Sequence, residues 1–139
     1  MKILVMGGTR FVGKSLVGKL LSKNHDIDIF TRGNKANPEK TNLIKGDRNK
    51  LESIVKLRNE KYDVVYDISG RELEQTKLLI ENLDNSFQRY IYVSSAGVYK
   101  DNCELPLSEV DPIDPDSRHK GKVWDRKLVE KPKNSFYKF

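Results

Sequence analysis

The sequence predicts an α/β fold, a parallel sheet covered by helices on both faces. Three observations carry that prediction. Short apolar runs alternate with stretches of helical periodicity from the first residues onward. The runs are apolar enough to be strands buried on both faces. A glycine-rich turn, Gly7 to Gly13, joins the first run to the first helical stretch, as in a βα unit.

Each element follows in order. Lys2–Met6 is a short apolar strand, and Val12, Leu16, Leu20 and Leu21 then recur at helical spacing. Ile27–Phe30 is a second strand, ended by Thr31-Arg32-Gly33-Asn34. Asn34–Thr41 is polar, contains Pro38, and reads as a loop. Leu43–Ile44 is a weak third strand, and Leu51, Ile54, Val55 and Leu57 suggest a helix. Val64–Tyr66 is a fourth strand, followed by a helix marked by Leu73, Leu79, Ile80 and Leu83. Tyr90–Val93 is a fifth strand, β-branched and aromatic. Pro106, Pro112 and Pro115 make 104–117 irregular, and no internal repeat is visible.

The totals bound the function. A chain of 139 residues suits one domain with a modest core. No apolar run approaches the roughly 20 residues that span a bilayer, and the first residues read as a buried strand, not a signal peptide. No membrane partner and no metal site are expected. Cys103 is the single cysteine, which excludes an intrachain disulfide and suits a reducing compartment. The expected location is cytoplasmic, or the plastid stroma if the source is a plant. The net charge of +6 suggests nucleic acid at first sight. Residues 118–139, however, hold eight of the 26 Lys and Arg and two of the 20 Asp and Glu, so residues 1–117 are neutral. The excess is therefore no basic face of the folded part.

Two phosphate loops compete for the turn. Gly8 to Ser15 spells G-x-x-x-x-G-K-S, the P-loop of nucleotide triphosphatases, in which Lys14 would neutralise phosphate and Ser15 would hold Mg²⁺. Asp67-Ile68-Ser69-Gly70 even supplies a D-x-x-G element after an apolar strand. No N-K-x-D guanine signature follows. Gly7 to Gly13 also nearly spells a dinucleotide loop, with Arg10 where the middle glycine belongs. Classical NAD sites place Asp or Glu at the end of the second strand, about 20 residues on. Here that strand ends in Thr31-Arg32, and Arg32 suits a 2′-phosphate, favouring NADP over NAD.

The blocks GGTRFVG, FTRGN, KGDRNK, YDVVYDISGRE, YIYVSSAGVY and DPDSRHKGKV occur in order. Together they resemble the atypical extended short-chain dehydrogenase/reductase group that includes the chloroplast stem-loop RNA-binding proteins and their cyanobacterial relatives. The resemblance covers about residues 1–123 and favours the dinucleotide loop. It implies a Rossmann-like, doubly wound parallel sheet of about five strands in the order 3-2-1-4-5, without the later strands and substrate lobe. The fifth strand would then present an edge open to self-association. It implies that Gly7, Thr9, Arg10, Phe11, Val12 and Gly13 line a pyrophosphate. Arg32 would sit by the adenosine ribose, Asp47 and Arg48 near adenine, and Ser69 beside the cofactor.

Ser95, in Ser94-Ser95-Ala96-Gly97-Val98-Tyr99, matches the block whose Ser holds substrate. Lys122 matches the lysine of the catalytic Y-x-x-x-K, but Arg118 stands in the tyrosine's place. An arginine stays protonated and cannot act as that base, so classical catalysis is not expected from this chain. The resembled group also implies RNA association, and ribonuclease activity in some members.

The likeness stops after Val123. Back-translating Trp124–Phe139 with free third bases and shifting by one base yields GTENWLKNQKIPFTNF, which contains the T-E-x-W-L and I-P-F-T elements that the resemblance implies should follow. Residues 124–139 are thus expected to be a frameshifted tail, made by one inserted base near the Val123 codon.

Overall fold

The computed structural model describes residues 1–83, 86–95, 98–99, 108 and 110–113. The chain divides into two units, Met1–Val93 and Ser94–Phe139. The first holds five strands: β1 Lys2–Met6, β2 Asp26–Thr31, β3 Asn42–Lys45, β4 Tyr62–Asp67 and β5 Phe87–Tyr92. Its helices are α1 Phe11–Leu21, α2 Leu51–Ile54, continued by a 3-10 turn Val55–Leu57, and α3 Leu73–Leu83. The strands form one parallel sheet in the order β3-β2-β1-β4-β5. The fold is therefore Rossmann-like, with the predicted strand order.

Side-chain alternation builds the two cores. In β1, Leu4 and Met6 point to one face and Ile3 and Val5 to the other. Ile3 and Val5 join Ile27 and Ile29 of β2 and Val17 and Leu20 of α1. Leu4 and Met6 join Phe30, Ile54, Leu57, Tyr62, Val65, Leu79 and Leu83, under α2 and α3. Helices on opposite faces are what right-handed crossovers require when the chain winds outward from β1 in one direction and from β4 in the other. That reversal leaves a crevice at the C-terminal ends of β1 and β4, where ligands of open α/β sheets bind.

Three expectations need correction. β5 begins at Phe87, ahead of the predicted Tyr90, and Val93 lies beyond its end. Val12 is 67% exposed: α1 buries Gly13, Val17 and Leu20, a face fixed by where the sheet lies and not by the periodic Val12. The helical pattern from Leu51 to Leu57 is one α-turn that tightens to 3-10 geometry.

A polar cluster closes the opposite, N-terminal end of the sheet. The buried Asp28 carboxylate accepts from the Tyr62 hydroxyl at 3.0 Å and from Asn42 Nδ2 at 3.0 Å. Burial and that carboxylate push the Tyr62 phenol well above its ordinary pKa. Lys2 pairs with Glu60 and lies 5.7 Å from the Tyr62 ring centroid. In the second unit, Tyr99 and Ile113 form an isolated antiparallel bridge.

Candidate functional site

The turn after β1 is built on positive backbone angles. Gly7 and Gly8 have φ of 108° and 103°, which favour glycine. The Gly7 amide donates to the Phe30 carbonyl at 2.9 Å, holding the turn against the end of β2. Arg10, the residue in the place of the middle glycine, is extended at φ −142°. It needs no glycine, which explains how the loop tolerates it. The left-handed angle falls instead on Phe11, at φ 42°. Gly13 is set by contact: a Cβ there would lie 2.4 Å from Ile68 Cδ1 and 2.8 Å from Gly8 Cα. The helix, the turn and the residue after β4 thus meet with no space for a side chain.

The start of α1 argues against the P-loop reading. Helix α1 is counted from Phe11, Val12 and Gly13 already lie within it, and the Lys14 amide donates to the Arg10 carbonyl at 3.1 Å to close the first turn. Too little loop remains between Gly8 and the helix to wrap a triphosphate. Lys14 and Ser15 are exposed. No side chain caps this helix and no acidic residue lies in its first turn, so its first amide groups are left to meet an anion. Thr9 is half-buried beside the turn, and Phe11 is 87% exposed.

The D-x-x-G element has another task. Asp67, at the end of β4, is fully buried. Its oxygens accept from Arg48 Nη1 at 2.7 Å and Nη2 at 2.8 Å. The Tyr90 hydroxyl donates to Oδ2 at 2.7 Å, and the Ser69 and Gly70 amides donate to Oδ1 at 3.3 and 3.0 Å. Burial opposes the charge, but Arg48, Tyr90 and the Ser69 amide together hold the carboxyl below the usual range. Asp67 is therefore used up in an ion pair, not poised for Mg²⁺. On the other side of the pair, Arg48 Nη1 also donates to Ser69 Oγ at 3.0 Å, while its buried Nε has no partner among the described residues. Gly70 lies tight against this network, with its missing Cβ 2.7 Å from the Tyr92 ring.

Asp47 and Arg48, adjacent in sequence, thus part ways. Asp47 Oδ1 accepts from the Asn49 amide at 3.0 Å and from Asn49 Nδ2 at 2.9 Å. These bonds, with the charges of Arg32 and Lys50, hold its carboxyl below the usual range against the opposing effect of desolvation. Asp47 and Arg32 line one cleft of about 310 Å³ with Lys45, Gly46, Lys50, Glu52 and Ser53. Gly46 has no side chain because a Cβ would lie 2.6 Å from the Phe30 ring. The Lys45 stem runs across Gly33, whose missing Cβ would stand 3.1 Å from Lys45 Cε.

The structure therefore gathers Gly7, Thr9, Arg10, Phe11, Val12, Gly13 and Ser69 at the ends of β1 and β4, and Arg32 with Asp47 at the ends of β2 and β3. Ser95 belongs to the second unit, where its carbonyl accepts from the Val98 amide at 3.2 Å. Lys122, Arg118 and the expected tail 124–139 lie outside the described residues. Sequence reasoning missed Lys45 and Lys50 in the cleft, and the tie from Asn49 to Gln75, whose Nε2 donates to Asn49 Oδ1 at 2.8 Å. The only signal for the lysines was their closeness to Gly46-Asp47. The tie had none, because it joins the loop after β3 to α3, a stretch distant in sequence.

The strand order and the glycine turn at the switch point define a Rossmann-class domain. The chain belongs to the NAD dependent epimerase/dehydratase family, which it matches over residues 3–122. It is 41% identical over 145 residues to the chloroplast stem-loop binding protein of 41 kDa b of Arabidopsis thaliana, covering 93% of this chain and 38% of that protein. It is 27% identical over 137 residues to a UDP-glucose 4-epimerase of Lactobacillus helveticus, covering 83% of this chain and 42% of the relative. In fold it is similar to the UDP-glucose 4-epimerase of Bifidobacterium longum, solved with NAD⁺ and UDP, at a TM-score of 0.73 and 18% identity, over 94% of this chain and 48% of that one. The chain thus spans about two fifths of the length of these curated relatives. No described helix is long and apolar enough to cross a membrane.

Proposed function

We propose that residues 1–123 bind a nicotinamide adenine dinucleotide, with NADP preferred to NAD. One observation carries the reading: the uncapped N-terminus of α1 meets Gly7, Gly8 and Gly13 at the crevice between β1 and β4. A pyrophosphate there would take the first amides of α1 and the helix dipole. Family membership and the NAD⁺ complex of the Bifidobacterium longum epimerase support the choice of ligand. The preference for NADP rests on the cleft. Arg32, Lys45 and Lys50 line it, and β2 ends in Thr31 without a carboxylate for a ribose diol. Bound dinucleotide would supply hydride chemistry. For substrate, Ser95 and Lys122 are the candidate groups.

The test is isothermal titration of the full chain with NADP and NAD. Arg32→Ala should weaken NADP by about 10- to 100-fold, the worth of a charge-assisted bond to phosphate, and leave NAD nearly unchanged. Equal losses for both cofactors would refute the 2′-phosphate assignment.

RNA binding is a second reading, favoured by the name of the 41% identical chloroplast relative. A fold-borne RNA site should keep its salt-sensitive retention of a stem-loop when Lys120, Lys122, Lys127, Lys131 and Lys133 are changed to Gln. Retention lost with those charges would assign it to the basic end of the chain alone.

A further inference from the structure

We infer that Asn49, in the loop after β3, and Gln75, in the first turn of α3, form a polar strap, and that the strap sets the Asp47 carboxylate for the adenosine half of the dinucleotide. The inference rests on the dinucleotide reading above and adds two positioning residues to it.

The strap is continuous. The Arg71 and Glu72 amides, just ahead of α3, donate to Gln75 Oε1 at 3.0 and 3.4 Å. Gln75 Nε2 donates to Asn49 Oδ1 at 2.8 Å, and Asn49 Nδ2 donates to Asp47 Oδ1 at 2.9 Å. Each link needs a side chain that accepts at one atom and donates at another, which only an amide does here. The Asn49 backbone amide adds a second bond to the same Asp47 oxygen at 3.0 Å. Oδ1 is thereby occupied. Among the described residues, Oδ2 accepts no hydrogen bond. A carboxylate oxygen accepts only, and the exocyclic amine of adenine donates.

Stability alone does not account for the strap. Asn49 is exposed and Gln75 half-exposed, and water competes for such bonds. The loop backbone is already fastened beneath them by the Arg48–Asp67 pair. What the strap adds is one rotamer for Asp47, and fixing a ligand-facing group in advance raises affinity.

Gln75→Glu is the clean variant. A carboxylate still accepts from the Arg71 and Glu72 amides and suits a helix start, but it cannot donate to Asn49. The full chain is titrated with NADP and with 2′,5′-ADP, the adenosine half. Gln75→Glu and Asn49→Ala should each bind both ligands about fivefold more weakly, the worth of one hydrogen bond, with unchanged melting temperatures. In the double variant the losses should not multiply, because both break one strap. Affinities equal to wild type in the single variants, with Asp47→Ala still impaired, would overturn the strap and leave the dinucleotide reading standing. Multiplying losses would assign the effect of Gln75→Glu to added charge and overturn the strap as well. A wild-type chain that binds neither ligand would remove the reading and the strap together.

Discussion

Asp67 is the residue on which the crevice depends. It is buried with its charge, and Arg48, Tyr90 and two backbone amides satisfy it. Removing one partner of such a pair leaves a buried charge unmatched, which costs about 3–5 kcal/mol. Arg48→Ala should lower the free energy of urea unfolding by about that amount. Tyr90→Phe should lower it by about 1.5–3 kcal/mol, the range for a bond to a charged group. The pH dependence has a definite sign. The folded carboxyl titrates below its unfolded value of about 3.9, so its stabilisation is present above that pH and lost as pH falls through the folded value. In Arg48→Ala the guanidinium's share of the lowering is lost while burial, Tyr90 and the Ser69 amide remain, so stability should fall less steeply than in the wild type as pH drops. Urea titrations of both chains from pH 3 to 6 (about one unit below to two above the reference value) measure the difference. None of this is legible in the sequence, where Asp67 opens a D-x-x-G string. Its partner comes from the loop after β3, and only the folded chain brings the two together.

At the scale of the element, α1 shows what a pattern carries and what it leaves out. The central strands β1 and β2 were readable because burial on both faces demands continuous apolar runs. The helix face was not, since Val12 fits the helical period yet stands exposed, while Gly13 is buried. Glycine carries no hydrophobicity to count, so the closest contact of the helix is invisible to periodicity. Gly13→Ala should therefore unfold the chain or abolish dinucleotide binding, because its Cβ would meet the Gly8 backbone at 2.8 Å. Gly18 lies in the same helix with nothing within 4 Å of its missing Cβ. Gly18→Ala should raise stability by about 0.5–1 kcal/mol, read as a higher urea midpoint at constant slope. The same reasoning separates the two phosphate loops. The string Gly8 to Ser15 satisfies both, and only the point where the helix begins decides between them.

The whole molecule joins a family fold to a charge that lies elsewhere. The strand order and the glycine turn were legible because six ordered blocks constrain them together. The cleft was only half legible: Arg32 and Asp47 stood out, whereas Lys45 ends β3 and Lys50 precedes α2, two exposed positions where a lysine carries no signal. The shifted-frame expectation for residues 124–139 makes its own prediction: resequencing the source DNA should show that removing one base near the Val123 codon restores an open frame.

The central claim is that Gly7 to Gly13 holds a dinucleotide and not a Mg²⁺–triphosphate. The most direct measurement is a thermal-shift titration of the full chain and of Lys14→Ala with NADP, NAD, ATP–Mg²⁺ and GTP–Mg²⁺. NADP should stabilise both chains equally, and more than NAD does, because Lys14 is an exposed residue of α1. Stabilisation by a Mg²⁺-nucleotide alone, lost in Lys14→Ala, would contradict it.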